Sequence, residues 1–517
     1  MALLTNDPNH ASRLAGKRIV ITAYDLEQSE HRGIAVYSKA LIRSLRETGA
    51  EVWLLTEFDF PMRSAGLHRL PAEMQELLHS AKVLDSLAEG DSGPATSWLE
   101  KKINLAGKFR KYWRWLEDIW EFARRPRYYP ARKIKKIRLN KLFDNPYLRH
   151  DRLGYLQYVE GILCARKIFF STQVAALLKS QKPVRVDLEG FDALITCCPL
   201  NIKPLYTSTF VQTVHDLIPI EYAQTSDNLL GFSHRLQACL PAKRIFVSES
   251  TAIKFHERIK RQKTIGHAIH KKNQRQQCNE KILVQPPSLI IPSWIAEDPN
   301  RVSDLRPVSY LLRKKGKRKR KGNQKEKEIL EPFKFLLFNS SVEARKNLLF
   351  LVKAYSESNL GSKGIRLCVT GKLKKDTYSK AVREIVMNEP GILLAGYIDE
   401  STKLDLYLNA MALLSPSLVE GFGIPVLDAS CLGMPAIASN CDSHQEIQTQ
   451  FDFNQYVLLI NTLESRDWAA AMQSVYGVST GLCDQPSEER KRRISRYQNK
   501  YKLINRQFQN GLEELIE

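Results

Sequence analysis

Two carboxylates, Glu420 and Asp428, bracket the segment Glu420-Gly421-Phe422-Gly423-Ile424-Pro425-Val426-Leu427-Asp428. Upstream, Ala412-Leu413-Leu414-Ser415-Pro416-Ser417 reads as a buried strand ending in turn residues. Pro425 suits the first turn of a helix, where its missing N–H costs nothing. The two acids therefore flank a strand-to-helix turn. The amides of Gly421 to Gly423 can approach an anion there, because a helix N-terminus presents free N–H groups and a partial positive charge. Two acceptors around an anion-binding turn suit a ligand that carries a phosphate and several hydroxyls.

A second constellation lies in Ser341-Val342-Glu343-Ala344-Arg345-Lys346-Asn347-Leu348. Arg345 and Lys346, adjacent and just before a helix, can clamp a diphosphate, one as a bidentate fork and the other as a point charge. His215-Asp216 closes the run Phe210-Val211-Gln212-Thr213-Val214, at the strand end where α/β sheets bind ligands. Thr370-Gly371-Lys372-Leu373 also ends a strand; it lacks the spacing of a P-loop, yet Gly371 and Lys372 at that strand end are candidates to line the same ligand cleft. Each feature also has a plain reading: a solvated basic pair, a structural histidine, and for Ser248-Glu249 the cap of the following helix.

The acid-x7-acid pattern, with Gly-Phe-Gly-Ile-Pro inside it and Gly433-Met434-Pro435 downstream, resembles the signature of retaining nucleotide-sugar glycosyltransferases, family 4. The resemblance covers residues 18 to 56, 190 to 290 and 333 to about 470. It implies the GT-B fold: α/β, two Rossmann-like doubly wound domains facing a cleft. Glu420 would hold sugar hydroxyls and Asp428, in place of the usual Glu, the nucleotide ribose. Phe422 and Ile424 would line the donor loop, Arg345 and Lys346 would meet the diphosphate, and His215 would lie beside the sugar. Gly33, in Gly33-Ile34-Ala35, resembles the glycine of an N-terminal loop that approaches the diphosphate or acceptor. No bound metal and no cofactor are implied.

The elements that must position these residues are partly legible. Arg18 to Ala23 reads as a buried parallel strand, Gly33 to Gly49 as a capped helix and Glu51 to Thr56 as the next strand. This is a Rossmann-like opening without Gly-x-Gly-x-x-Gly, which argues against a dinucleotide oxidoreductase. Residues 1–290 are expected to form the N-terminal, acceptor-binding domain, with a basic helical insertion at about 60–185. In it Phe109, Trp113, Leu116 and Trp120 recur at helical spacing, as a face for the domain core or for an anionic membrane surface. Residues 291–332, with the run Arg313 to Lys321, read as a basic linker. Residues 333–517 read as the nucleotide-sugar-binding domain, and the resemblance implies that its last helix crosses back to the first domain.

Length and composition fit this outline. A chain of 517 residues exceeds one core. Nine scattered cysteines without a Cys-x2-Cys pair argue against zinc knuckles and disulfides and suit a reducing compartment. No cleavable leader and no long apolar run are expected, so the expected setting is cytoplasmic, peripheral to the inner face of the plasma membrane if the basic segments bind lipid. A net charge of +22 asks for an anionic partner. The expected activity is transfer of a hexose from a nucleoside-diphosphate hexose to a glycan or lipid-linked acceptor, with retention, in polysaccharide, lipopolysaccharide or glycolipid assembly. The alternatives are an inactive nucleotide-sugar-binding protein and a basic nucleic-acid binder, the latter without any recognition module in the sequence.

Overall fold

The computed structural model describes residues 12–28, 33–60, 67–90, 128–139, 151–177, 182–222, 229–265, 280–304, 309–311, 327–371, 373, 376–389, 391–461 and 464–517. Two parallel sheets organise them. In the first, Arg18–Thr22 is central because four of its five residues are fully enclosed, as a strand covered by helices on both faces must be. Glu51–Thr56 pairs on one side of it and Ala193–Thr196 on the other, both parallel. Beyond Glu51–Thr56 come Gly161–Cys164 and then Lys135–Arg138; beyond Ala193–Thr196 come Thr209–Val214, Lys243–Phe246 and Glu280–Ile282. Among the described strands of this sheet, only Lys135–Arg138 runs antiparallel. The chain builds outward in one direction and then the other, so the switch point falls between the ends of Arg18–Thr22 and Ala193–Thr196.

The segment expected as a helical insertion is not uniformly helical. It contains the helix Ala72–Glu89, but also the main-sheet strand Gly161–Cys164, the helix Ile168–Leu177 and the strand Val184–Asp187 of a small three-stranded sheet. Gly161-Ile162-Leu163-Cys164 is too short an apolar run for periodicity to declare its type. Its glycine is required by packing: a Cβ would sit 2.5 Å from the Ile137 carbonyl and from the Trp53 ring. The Trp113–Trp120 stretch and the run Arg313 to Lys321 lie outside the described residues.

The second sheet is wholly parallel. Phe335–Asn339 is its first strand in sequence and lies inside it, with Arg366–Thr370 and Ile392–Gly396 on one side and Ala412–Ser415, Ala436–Ser439 and Val457–Ile460 on the other. Its switch point lies between Phe335–Asn339 and Ala412–Ser415. The loops leaving those two strands carry Arg345-Lys346 and Glu420-Gly421, so the topology alone brings the two sequence constellations to one crevice.

The helix Pro486–Ile516 ties the domains together. At about 1.5 Å per residue its 31 residues reach roughly 46 Å, enough to cross both. Near its start Arg493, fully buried, donates to the carbonyls of Tyr407 (2.9 Å) and Ala410 (2.8 Å) in the second domain. Near its end Asn505 bonds Ser44 and Glu47, and the Ile516 carbonyl accepts from Thr209, all in the first. Gly511 sits inside this helix because a Cβ would lie 2.2 Å from Leu283. Among the described residues no helix is long and apolar enough to span a membrane.

Candidate active site

Glu343-Ala344-Arg345-Lys346 leaves the first strand of the second sheet as a single tight turn, closed by Asn347 in the left-handed region (φ 56°). The turn is bonded to the other loop through Leu418 N–H and the Arg345 carbonyl, 2.8 Å apart. Side chains then converge. The Lys346 ammonium contacts Oε1 of Glu420, and Ser417 Oγ donates to the same oxygen at 2.8 Å. Arg345 Nη1 lies 3.5 Å from Glu420 Oε2 and 3.3 Å from the Val419 carbonyl, while its Nε donates to Glu343 at 3.1 Å. The Lys346 and Glu420 side chains are 8% and 10% exposed. Burial pushes the Glu420 carboxyl up, but Lys346, Arg345 and His444 overcome it and hold it down at about 2. Burial draws Lys346 below its ordinary value, opposed by Glu420. Glu420 is therefore ionised at neutral pH: a buried carboxylate with two basic side chains against it.

Beside this cluster the backbone opens. Gly423 adopts φ 100°, ψ 47° and caps the helix Ile424–Leu432. Only glycine fits comfortably there, since a Cβ would also lie 3.0 Å from the His444 ring. Among the described residues none accepts the amides of Gly421, Phe422 or Gly423. Three successive N–H groups without an acceptor among the described residues, next to Arg345 and Lys346 and just before a helix, have the chemistry that suits an anion. The sequence reading missed His444. It is fully buried beneath Gly423, with Nδ1 2.9 Å from the Ser439 carbonyl. Burial lowers its pKa, but the Cys441 thiol, Glu420 and the Ser439 carbonyl together raise it. Its position one strand beyond the motif gives no local sequence signal.

The first domain meets this loop directly. A Cβ on Gly421 would lie 2.5 Å from the His215 carbonyl and 2.9 Å from Asp216 Cβ. His215 follows the strand Thr209–Val214, and its Nε2 lies 2.7 Å from the Cys197 carbonyl. A carbonyl only accepts, so Nε2 carries the proton and Nδ1 is an acceptor. Burial pulls the imidazole down to about 4, the Cys197 bond opposing, so the ring is neutral. Tyr37 stacks edge-on at 4.7 Å and fixes it. Asp216 accepts from Ile218 N–H at 3.1 Å and so shapes the turn after the strand. Burial raises its carboxyl to about 6 despite Arg345. Gly33 starts the helix Gly33–Glu47; a Cβ there would meet Ile424 at an unstrained 3.9 Å, so the site places Gly33 at the interface without demanding glycine for space.

Two expected donor residues have other partners. Asp428 is fully buried within its helix; Oδ1 accepts from Ser288 N–H and Oδ2 from Ser288 Oγ, each at 2.5 Å. Burial raises its pKa, with Lys403, 4.0 Å away, and Ser288 opposing. The carboxylate expected to meet a ribose is engaged by the segment that crosses between the domains. Gly371, at φ 109°, lies against the Arg345 loop: a Cβ would fall 2.0 Å from the Ser340 carbonyl. Its role is close backbone approach. Lys372 lies outside the described residues. Among the described residues no group of three or more His, Cys, Asp or Glu is placed to hold a metal.

Residues 319–493 match the family described as glycosyl transferases group 1, a span containing Arg345, Lys346, Glu420 and Asp428. The match supports a group 1 glycosyltransferase. The O-antigen chain mannosyltransferase B of Escherichia coli is 30% identical over 115 residues, which span 22% of this chain and 30% of that protein's length. Sucrose-phosphate synthase from Thermosynechococcus elongatus is 14% identical, with a TM-score of 0.47 over 95% of this chain and 97% of that one. HepE of Anabaena, solved with UDP, is 10% identical, with a TM-score of 0.45 over 96% and 99%.

Proposed function

We propose that this protein transfers a hexose from a nucleoside-diphosphate hexose to a hydroxyl of a glycan or lipid-linked acceptor, with retention at the anomeric carbon. One observation carries the reading: at the switch point of the second sheet, the Arg345–Lys346–Glu420 cluster stands beside amides of Gly421 to Gly423 that have no acceptor among the described residues. That arrangement suits a diphosphate bonded to a polyhydroxylated group. The bond from the anomeric carbon to the diphosphate oxygen breaks, its electron pair leaves with the diphosphate, and the acceptor oxygen bonds to the same face. The acceptor proton passes to a departing phosphate oxygen. Negative charge grows on the diphosphate, and preorganised cations and amides lower the barrier by meeting it. Glu420 accepts from sugar hydroxyls and orients the ring. His215, neutral, offers Nδ1 as a further acceptor.

The chemistry proposed needs no resident metal or cofactor. The name of the Escherichia coli relative favours mannose as the sugar and an envelope polysaccharide as the product. A cytoplasmic site, against an anionic membrane surface if the acceptor is lipid-linked, suits the net charge. The alternative of a nucleotide-sugar-binding protein without turnover draws on the occupied Asp428 carboxylate. Incubation with GDP-, UDP- and ADP-hexoses, wild type against Glu420→Ala, separates the two. Nucleotide release by wild type and not by the variant is expected. Binding of a nucleotide with no release under any acceptor tried would favour the binding protein, and binding of none would remove the donor reading.

A further inference from the structure

Ser248 does two things at once. It caps the helix Glu249–Ile265, accepting Thr251 N–H at 3.2 Å, as a serine before a helix should. Its own hydroxyl proton reaches across the domain interface to the Gly421 carbonyl, 2.9 Å away. Thr251 Oγ1 donates to the His215 carbonyl at 3.2 Å within the first domain and lies 3.4 Å from the Gly421 carbonyl, which Ser443 Oγ of the second domain also approaches at 3.3 Å. The start of the same helix is docked on the second domain by Glu446, which accepts from Glu249 N–H at 2.7 Å, and by the Lys254–Asp442 ion pair at 3.1 Å.

The orientation of one peptide follows. The chain contains no cis peptide bond among the described residues, so the Gly421 C=O and the Phe422 N–H point to opposite sides of a planar unit. With the carbonyl turned toward Ser248, the Phe422 N–H is turned away from the docked helix. Among the described residues it has no acceptor. An N–H that the chain leaves without an acceptor is open to a partner from outside it.

We propose that Ser248 is a positioning residue of the transfer reaction: by holding the Gly421 carbonyl across the interface, it aims the Phe422 N–H at the donor diphosphate. This rests on the donor-site reading above. It makes the anion-binding geometry of the second domain's loop depend on docking of the first. Because charge on the diphosphate is largest in the transition state, loss of the orientation lowers kcat more than it raises the donor KM.

The test separates capping from aiming. Ser248→Gly removes the hydroxyl yet keeps a tolerable cap, Ser248→Ala removes both, and Ser248→Thr keeps both. Each is measured for kcat and donor KM with the responding nucleotide hexose, for Tm, and for the rise in Tm on adding inorganic pyrophosphate. The expected result is a fall in kcat of about 10- to 100-fold for Gly and Ala alike, with donor KM within about twofold and Thr near wild type. The Tm should fall for Ala and change little for Gly. Wild-type kcat in Ser248→Gly, or losses that follow Tm across the series, would overturn the proposal while leaving the donor reading intact. A wild type that neither turns over nor responds to pyrophosphate, GDP or UDP would overturn both.

Discussion

Lys346 and Glu420 form a buried ion pair between residues 74 positions apart, and that pair joins the two loops that leave the switch point of the second sheet. A buried pair is costly to break from one side, because the surviving charge keeps its desolvation penalty. Lys346→Ala should therefore act on two quantities. Turnover should fall by about 100-fold or more, as for loss of a charge-stabilising group. Stability should also fall, by less than the roughly 3 to 5 kcal/mol typical of an orphaned partner, since Arg345 still faces Glu420. Adding Glu420→Ala should return part of the stability and none of the turnover. Urea unfolding and initial rates on the three variants check this; additive stability losses would mean the pair is not coupled.

The contact between Gly421 and the His215 carbonyl makes a steric prediction. A Cβ at 2.5 Å from backbone oxygen cannot be absorbed by turning a side chain. Gly421→Ala should leave each domain folded but keep the two from docking at the site. Turnover should drop by about 100-fold or more, because the reacting groups sit on opposite domains and misplacement near an ångström carries that scale of loss. Small-angle scattering should show a more extended particle with unchanged helix content by circular dichroism. Wild-type dimensions and wild-type turnover together would show that the domains do not close on this contact during catalysis.

His215 gives a pH prediction whose sign is fixed by burial. Its folded pKa is about 4 against an ordinary 6.5, so the unfolded chain binds more protons between those values and stability rises with pH there. The contribution is present above about 6.5 and is lost as pH falls toward 4. Asp216, raised to about 6, has the opposite sign over an overlapping range, so the whole-protein curve mixes the two. The difference between wild type and His215→Gln isolates the histidine. It should shrink as pH is lowered from about 7.5 to 4.5, while wild-type kcat shows no inflection near 6.5 from this ring. A constant difference across that range would mean the ring is solvated and titrates normally.

Much of this site was readable in the residues because its parts are local. A strand, a glycine turn and a proline-started helix announce the Glu420 loop, and a basic pair before a helix announces Arg345 and Lys346. That the two loops meet follows from strand order, which βα alternation implies. What the sequence did not carry is contact made at a distance. Ser288 and Asp428 are 140 positions apart, and Ser248 and Gly421 are 173 apart. Neither pair has a periodic or spacing signal, because each arises only when two domains dock. The strand Gly161–Cys164 was lost for a different reason: two apolar residues between a glycine and a cysteine fit a helix turn or a strand equally. Gly371 was read as a residue of the ligand site; its φ of 109° and the nearby Ser340 carbonyl give it a packing reason to be glycine, which no sequence spacing announces.

Asp428 is the residue on which the sequence expectation and the structure diverge most, and nucleoside and inorganic diphosphates can tell the readings apart. If a donor ribose displaces Ser288 and takes its place on the carboxylate, Asp428→Asn should weaken GDP or UDP binding by about tenfold, one charge-assisted hydrogen bond's worth. Inorganic pyrophosphate, which has no ribose, should bind as it does to wild type. If the carboxylate serves only to anchor the crossing segment, the variant should lose stability through Ser288 and Lys403, and both ligands should weaken together as the domains shift. Ser288→Ala sharpens the comparison, because it removes the competing hydroxyl and leaves the carboxylate. Under the ribose reading it should tighten nucleotide binding about two- to tenfold, since a hydrogen bond of roughly 0.5 to 1.5 kcal/mol no longer has to be exchanged. Weaker nucleotide binding in Ser288→Ala, with pyrophosphate weakened equally, would assign Asp428 to the hinge and leave ribose recognition to other groups.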